Sequence, residues 1–135
     1  MTRVSAAVTF QVPLPLRELS PNGREHWATK GHATADYREY VGWEAQQARK
    51  RARIKELPKA RISLVFAIKG GKGVAYCPRD IGNGIAAFKS GFDGIVDAGW
   101  MKDDSGRYME LGRIEIDSKR GPYVEVTIEE VRPCA

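Results

Sequence analysis

The sequence predicts an α+β domain with a mixed β-sheet, two helices packed on it and a C-terminal β-hairpin. Two segments repeat apolar residues at the helical period, and four segments are strand-like, three of them alternating between apolar and polar residues. The predicted order is β, loop, α, β, loop, α, β, β. With 135 residues and no internal repeat, the chain has the length of a single domain.

The first predicted strand spans residues 6–16, and Pro13 and Pro15 favour the edge of the sheet for it. Residues 17–33 lack a sustained period and contain the turn sequence SPNG, so we predict an ordered loop there. A long helix follows from Thr34 or Asp36 to Arg53. Its narrow apolar stripe consists of Tyr37, Val41, Ala45, Ala48 and Ala52.

The second predicted strand, residues 61–69, is apolar at most positions, which favours burial on much of both faces and a central place in the sheet. The loop that follows, KGGKG at residues 69–73, is flexible and basic. It lacks the glycine spacing and the final Lys-Ser/Thr of a phosphate-binding P-loop, which argues against nucleotide hydrolysis.

The second predicted helix spans residues 83–98 and carries one apolar face. Gly99 is placed where a capping glycine ends a helix, and residues 100–102 are predicted to be extended. Residues 108–116 and 123–131 are the last two strands. The turn between them, residues 117–122, predicts that they pair with each other as an antiparallel hairpin.

The charge of the chain favours a polyanionic partner, since the net charge is +5 and the isoelectric point is near 9.4. No apolar run is long enough to span a membrane and no leader is visible, so we expect a cytoplasmic protein. Cys77 and Cys134 lack metal-type spacing and are expected to be free thiols.

Acidic residues flank the second predicted helix, with Asp80 before it and Asp103 and Asp104 after it. If the chain turns back at Gly99, the acidic pair can approach Asp80 and Lys89. Grouped carboxylates repel one another unless a cation neutralises them, and hard oxygen ligands suit Mg²⁺ or Mn²⁺. The sequence therefore predicts a metal site formed by Asp80, Asp104 and Asp103. Taken singly, Asp80 is better explained as a helix N-cap, and the prediction of a site depends on the whole set of residues.

The same stretch, RDIGNGIAAFKSGFDGIVDAGWMKDD, resembles the RusA-type Holliday junction resolvases. That family has an Asp-x-Asp-Asn turn, a helical lysine, a following aspartate and a later Asp-Asp pair. The segments Ser20-Pro21-Asn22, His26-Trp27 and Tyr37-Arg38 fit its opening block. The resemblance implies a homodimeric, Mg²⁺-dependent endonuclease that makes paired nicks in four-way DNA junctions during recombination and repair.

Carried over residue by residue, the resemblance implies a metal held by Asp80 with Asp104 or Asp103, and a catalytic set of Lys89, Asp93 and Asn83. Gly82 stands where the family has a second aspartate, which removes one carboxylate. Lys89 also lies three residues further along than in the best-known members, but this rotates it by about 300°, most of a helical turn.

Residues that we expect to contact DNA are basic or lie in the opening block: Arg79, Lys69, Lys72, Trp27, Asn22, Arg51 and Arg53. Each has an ordinary structural alternative, because charge runs are usually solvated and Trp27 can pack in the core. For the dimer, Gly91, Gly94 and the C-terminal hairpin are candidate contacts. Two other functions stay open: a junction-binding protein that has lost catalysis through Gly82, and an RNA-binding module.

Overall fold

The computed structural model describes residues 7–21 and 27–132, which form one sheet with helices packed on it. The strands are β1 (Val8–Val12), β2 (Ala60–Ala67), β3 (Met109–Asp117) and β4 (Tyr123–Glu130). The α-helices are α1 (Trp27–Arg51), α2 (Ile81–Ala87) and α3 (Lys89–Asp97), and a short 3-10 helix covers Arg17–Leu19. None of the helices in these ranges is both long and apolar enough to cross a membrane.

The sheet has the order β1-β4-β2-β3 and is mixed, which confirms the predicted α+β class. β4 pairs antiparallel with both β1 and β2, whereas β2 and β3 are parallel. β1 lies at one edge and β2 in the interior of the sheet, as predicted. One face of β2 is fully buried through Ile62, Leu64 and Phe66, while its other face is mostly half-buried.

The predicted C-terminal hairpin is wrong, because β2 lies between β3 and β4. Alternation shows that a strand has one buried face, but it does not specify the neighbouring strand. The connection at residues 118–122 must span two inter-strand spacings, about 10 Å in all, and five residues are long enough for that. Residues 118–122 therefore do reverse the chain, but β3 and β4 do not pair with each other: β3 pairs with β2, and β4 pairs with β1 and β2.

The second predicted helix is in fact two helices separated at Phe88, which has φ −88° and ψ 3°. The Phe88 ring is fully buried and makes edge-on contacts with the rings of Tyr37, Phe66 and Phe92. Periodicity did not reveal the break because the apolar positions continue in phase across it. Gly99 has φ +86° and follows α3, as predicted for a capping glycine.

The helix α1 begins earlier than predicted, within the segment expected to be a loop, and ends at Arg51. Most of its predicted apolar stripe is buried, namely Tyr37, Val41, Ala45 and Ala48. Ala52 is exposed and lies beyond the helix. The indole nitrogen of the buried Trp100 donates a hydrogen bond of 2.8 Å to the Ala45 carbonyl oxygen, which ties the end of the α3 region to α1.

The closest approach of α1 and α3 is at two glycines. A Cβ atom added at Gly42 would lie 3.2 Å from the Gly94 carbonyl oxygen. Gly91 and Gly94 are buried within the chain, Gly91 against the Phe88 ring and Gly94 against α1. The two glycines that were candidate dimer contacts therefore serve packing inside the fold.

We predict that Gly94→Ala destabilises the protein by about 2 kcal/mol or more in free energy of unfolding. The added Cβ would lie 2.8 Å from the Gly42 nitrogen and closer still to the Arg38 carbonyl oxygen, so α1 and α3 would have to separate. Gly31→Ala is the matched control on α1, because nothing lies within 4 Å of its added Cβ. It should stabilise by about 0.5–1 kcal/mol. If Gly94→Ala and Gly31→Ala changed the free energy of urea unfolding equally, the close approach of α1 and α3 would be contradicted.

Candidate active site

Asp80 and Asn83 form a hydrogen-bonded pair at the N-terminus of α2. Asp80 is the N-cap residue, and its Oδ1 accepts a 2.8 Å hydrogen bond from the Asn83 backbone N–H. Its Oδ2 accepts a 3.0 Å hydrogen bond from the Asn83 side-chain amide nitrogen. Asp80 therefore caps α2, which was one of the two roles that the sequence allowed for it. Each carboxylate oxygen still has a second lone pair, so capping does not exclude a metal.

Gly82 is exposed, and it lies beside the Asp80 carboxylate. A Cβ atom at this position would lie 3.5 Å from Asp80 Oδ1, with no other group within 4 Å. Position 82 has ordinary backbone geometry, because its φ lies outside the left-handed range. An acidic side chain at Gly82 would therefore fit here and would place a second carboxylate next to the first.

Tyr76 is a neighbour of Asp80 that the sequence did not indicate. Burial and the negative charge of Asp80 raise the pKa of its phenol, while hydrogen bonding to Ser20 acts in the opposite direction. The residue lies in an irregular loop without periodicity, and its backbone N–H donates to the Pro15 carbonyl oxygen. The phenol is therefore a neutral hydroxyl group beside the candidate metal ligand.

Lys89 and Asp93 lie one turn apart on α3 and line the same cavity of about 250 Å³. The cavity lies between α3 and α1, and Lys30 and Thr34 of α1 also line it. Asp93 attracts Arg38 of α1, whose guanidinium makes a bidentate ion pair with Asp97 at 2.6 and 2.8 Å. Asp80 and Asn83 do not line this cavity.

Asp103 and Asp104 lie at the other end of the sheet from Asp80. They precede β3, whose start lies beside the start of β2. The Ala60 N–H at the start of β2 donates to the carbonyl oxygen of Tyr108, just before β3. The helix α2 lies at the opposite end: Gly84 is against the Phe66 ring, and Ile81 lies near residues 114–119. The seven residues of β2 from Ala60 to Phe66 span six steps, or about 20 Å. The expectation that the acidic pair turns back to face Asp80 is therefore not met.

The topology explains this separation. Because β2 and β3 are parallel, the connection must leave the carboxyl end of β2 and return to the amino end of β3. Asp80 lies near the carboxyl end of β2, and the acidic pair lies near the amino end of β3. Asp103 instead accepts a 2.8 Å hydrogen bond from the Ser105 N–H, and bonds to Ser105 hold the pKa of its carboxyl below the usual range.

No metal cluster is present among residues 7–21 and 27–132, where no three His, Cys, Asp or Glu side chains group closely enough to hold an ion. The predicted ligands Asp80, Asp103 and Asp104 are thus not assembled in this conformation. A Mg²⁺ site needs only one or two protein carboxylates, because water and substrate phosphate complete its octahedron. Asp80 with the Asn83 amide oxygen provides hard oxygen donors of that kind.

The candidate DNA-binding residues divide between the two ends of the molecule. Arg79, Lys69 and Lys72 are exposed in the segment between β2 and α2, at the Asp80 end. Arg51 and Arg53 are exposed at the C-terminus of α1. That terminus lies near the start of β2: Arg49 donates to the Ala98 carbonyl oxygen, and the nearby Trp100 carbonyl oxygen accepts from the N–H of Leu57, three residues before β2. Asn22 lies outside the described residues, and the placement of the Trp27 side chain is not described.

No protein-family model matches this chain, and no curated protein shows significant sequence similarity to it.

We predict that Asp80→Ala lowers the free energy of unfolding by about 1 kcal/mol, because it removes the acceptor for the first turn of α2. Asp80→Asn should cost less, since an amide oxygen still caps the helix. Chemical denaturation of both variants measures the difference. Equal losses would show that the cap contributes nothing beyond the negative charge.

Proposed function

We propose that this protein is a metal-dependent endodeoxyribonuclease that resolves four-way DNA junctions by paired nicks, acting as a cytoplasmic homodimer. The observation that carries the proposal is the Asp80–Asn83 pair. It is fixed on an exposed helix N-terminus, with open space at Gly82 and cationic side chains on the preceding segment. The resemblance of residues 79–104 to the RusA-type resolvases points to the same residues.

Asp80 and Asn83 fit Mg²⁺ or Mn²⁺ through the chemistry of their oxygen atoms. Asn83 donates to Asp80 through its amide nitrogen, so its amide oxygen is not used in that hydrogen bond. One carboxylate and one amide oxygen suit an ion that keeps several waters and binds a substrate phosphate. When bound, the ion would polarise the scissile phosphate and lower the pKa of a coordinated water.

The remaining residues would bind and orient the substrate. Arg79 and the lysines at positions 69 and 72 would contact backbone phosphates on the Asp80 side, because exposed cations suit a sequence-independent contact. Lys89 would stabilise negative charge that develops on the phosphate oxygens. Asp93, four residues further on the same face of α3, would orient the Lys89 ammonium group.

The second candidate function is junction binding without cleavage. Two observations favour it: Gly82 supplies no carboxylate, and Asp103 and Asp104 lie at the far end of the sheet from Asp80. The two functions share the fold and the basic surface, and they differ in metal-dependent turnover. An RNA-binding module would instead prefer single-stranded RNA to branched DNA.

We predict that the purified protein makes paired nicks in a labelled four-way junction when Mg²⁺ or Mn²⁺ is present. Asp80→Asn should reduce cutting about 100-fold or more, since it removes the charged metal ligand while largely keeping the helix cap. If Asp80→Asn abolishes cutting but lowers the free energy of unfolding by less than about 1 kcal/mol, the lost cutting comes from the chemistry and not from unfolding. Tight junction binding with no cutting under either metal would instead support the binding protein.

Two further variants in the same assay test the ligand set. Gly82→Asp should lower the Mg²⁺ concentration needed for half-maximal cutting by about tenfold, because it adds a carboxylate beside Asp80. Asp104→Asn tests the distant acidic pair. Lost cutting would mean that the pair joins Asp80 in the active assembly, and unchanged cutting would mean that the Asp80 end suffices.

We predict that DNA binds at the Asp80 end. The double variant Lys72→Gln with Arg79→Gln should weaken junction binding and reduce the slope of log affinity against log salt by about 2. Arg51→Gln with Arg53→Gln is the matched control, with the same loss of charge at the other end. Fluorescence anisotropy over a salt series measures both slopes, and a larger effect of the control pair would place the DNA at the other end.

A further inference from the structure

The outward face of α1 carries two aromatic side chains that the fold leaves exposed. Trp43 is 59% and Tyr40 50% exposed. They lie three positions apart on the helix, so they project from the same side. Both line an open groove of about 570 Å³ between α1 and the end of α3. Exposed aromatic surface grouped in a groove is typical of a site that binds another molecule.

This groove is acidic, although the chain as a whole has a net charge of +5. Its lining includes Asp36 and Glu39 of α1 and Asp97 of α3, and among the described residues that line it there is no lysine or arginine. The groove also lies at the C-terminal end of α3, where the helix dipole adds partial negative charge. A surface of this kind repels DNA phosphates and attracts cations.

One guanidinium group of the chain itself is already bound beside this groove. Arg38 makes a bidentate ion pair with Asp97, at 2.6 and 2.8 Å. The other two carboxylates, of Asp36 and Glu39, have no ion-pair partner within residues 7–21 and 27–132. Two negative charges of the groove are therefore left for a cation from outside the chain.

Each exposed ring has one of these two carboxylates beside it on the helix. Asp36 lies four residues before Tyr40, and Glu39 lies four residues before Trp43, so the members of each pair are neighbours on the surface of α1. The planar guanidinium of arginine can stack on an aromatic ring while it donates to a carboxylate. The face therefore offers two adjacent positions that suit an arginine side chain.

We propose that this groove binds an arginine-bearing segment of another protein, whose guanidinium groups stack on Trp43 and Tyr40 and pair with Glu39 and Asp36. Sites for small molecules enclose most of their ligand, whereas this groove is open and leaves both rings half-exposed, which suits a protein segment. None of the residues proposed for DNA cleavage lines the groove, so the inference does not depend on that function.

The test is selection of a random peptide library, displayed on phage, on the purified protein without DNA or metal. We expect the retained peptides to be enriched in arginine over the starting library, and selection on Trp43→Ala to lose that enrichment. The variant should stay folded because Trp43 lies on the surface, and the fluorescence of the buried Trp100 reports the native fold. No retained peptides, no arginine enrichment, or the same enrichment on Trp43→Ala would overturn the proposal.

Fluorescence anisotropy of the most enriched peptide then tests the two parts of the contact. Trp43→Ala should weaken binding about 30-fold or more. Glu39→Gln should weaken it about fivefold, because it removes one charge beside the ring. Glu56→Gln is the matched control: it removes the same charge at an exposed residue outside the groove and should leave binding unchanged. Equal effects of Glu39→Gln and Glu56→Gln would contradict the pairing.

A change in the peptide tests the charge of its side chains. Replacing its arginines with citrulline, which has nearly the same shape but is neutral, should weaken binding about tenfold or more. A citrulline peptide that binds as tightly as the arginine peptide would exclude recognition of a cation.

The Trp43→Ala variant also distinguishes two other occupants of the groove. If it changes the sedimentation of the protein alone, a second copy of the chain covers the groove. If it weakens binding of a four-way junction, the groove belongs to the DNA interface. Either result would overturn the assignment to an arginine-bearing segment.

Discussion

The parallel pairing of β2 with β3 determines where each candidate catalytic residue lies. A parallel pair needs a connection that crosses the whole sheet, and here α2 and α3 form that crossing. Asp80 precedes the crossing and the pair Asp103 and Asp104 follows it. The acidic residues that adjoin one helical region in the sequence therefore lie at opposite ends of the molecule.

The crossing packs against α1 through close backbone contact as well as through buried aromatic side chains. Gly42 and Gly94 allow the two helices to touch, and Arg38 then reaches Asp97 on α3. Arg49 makes a second contact at the same C-terminal end of α3, where it donates to the Ala98 carbonyl oxygen. Because α1 uses its small residues to pack inward, Tyr40 and Trp43 are left on its outward face.

Asp80, Asn83 and Gly82 suit a metal site in which the protein would supply only one or two of the ligands. The hydrogen bonds from Asn83 orient the carboxylate without using all its lone pairs, and Gly82 leaves room beside it. A site with one carboxylate depends on solvent and substrate for the rest of its ligands. Metal affinity would then be low without DNA, and binding of the two would be mutually dependent.

The fold class, the central position of β2 and the capping roles of Asp80 and Gly99 could all be predicted from sequence. Each of these follows from local periodicity or from the backbone preference of single residues. The break at Phe88 could not be predicted, because it depends on contacts of its ring with Tyr37 and Phe66, which are distant in sequence.

Strand partners and the assembly of the site required the tertiary structure. The alternation in β3 and β4 is the same whether they pair with each other or with β2, so only packing of the complete sheet selects the order. That order in turn separates Asp80 from Asp104. Sequence therefore indicated the candidate residues for the proposed chemistry and most of the helices and strands. The three-dimensional fold decided which of those residues lie near one another, because only long-range pairing sets the distances between them.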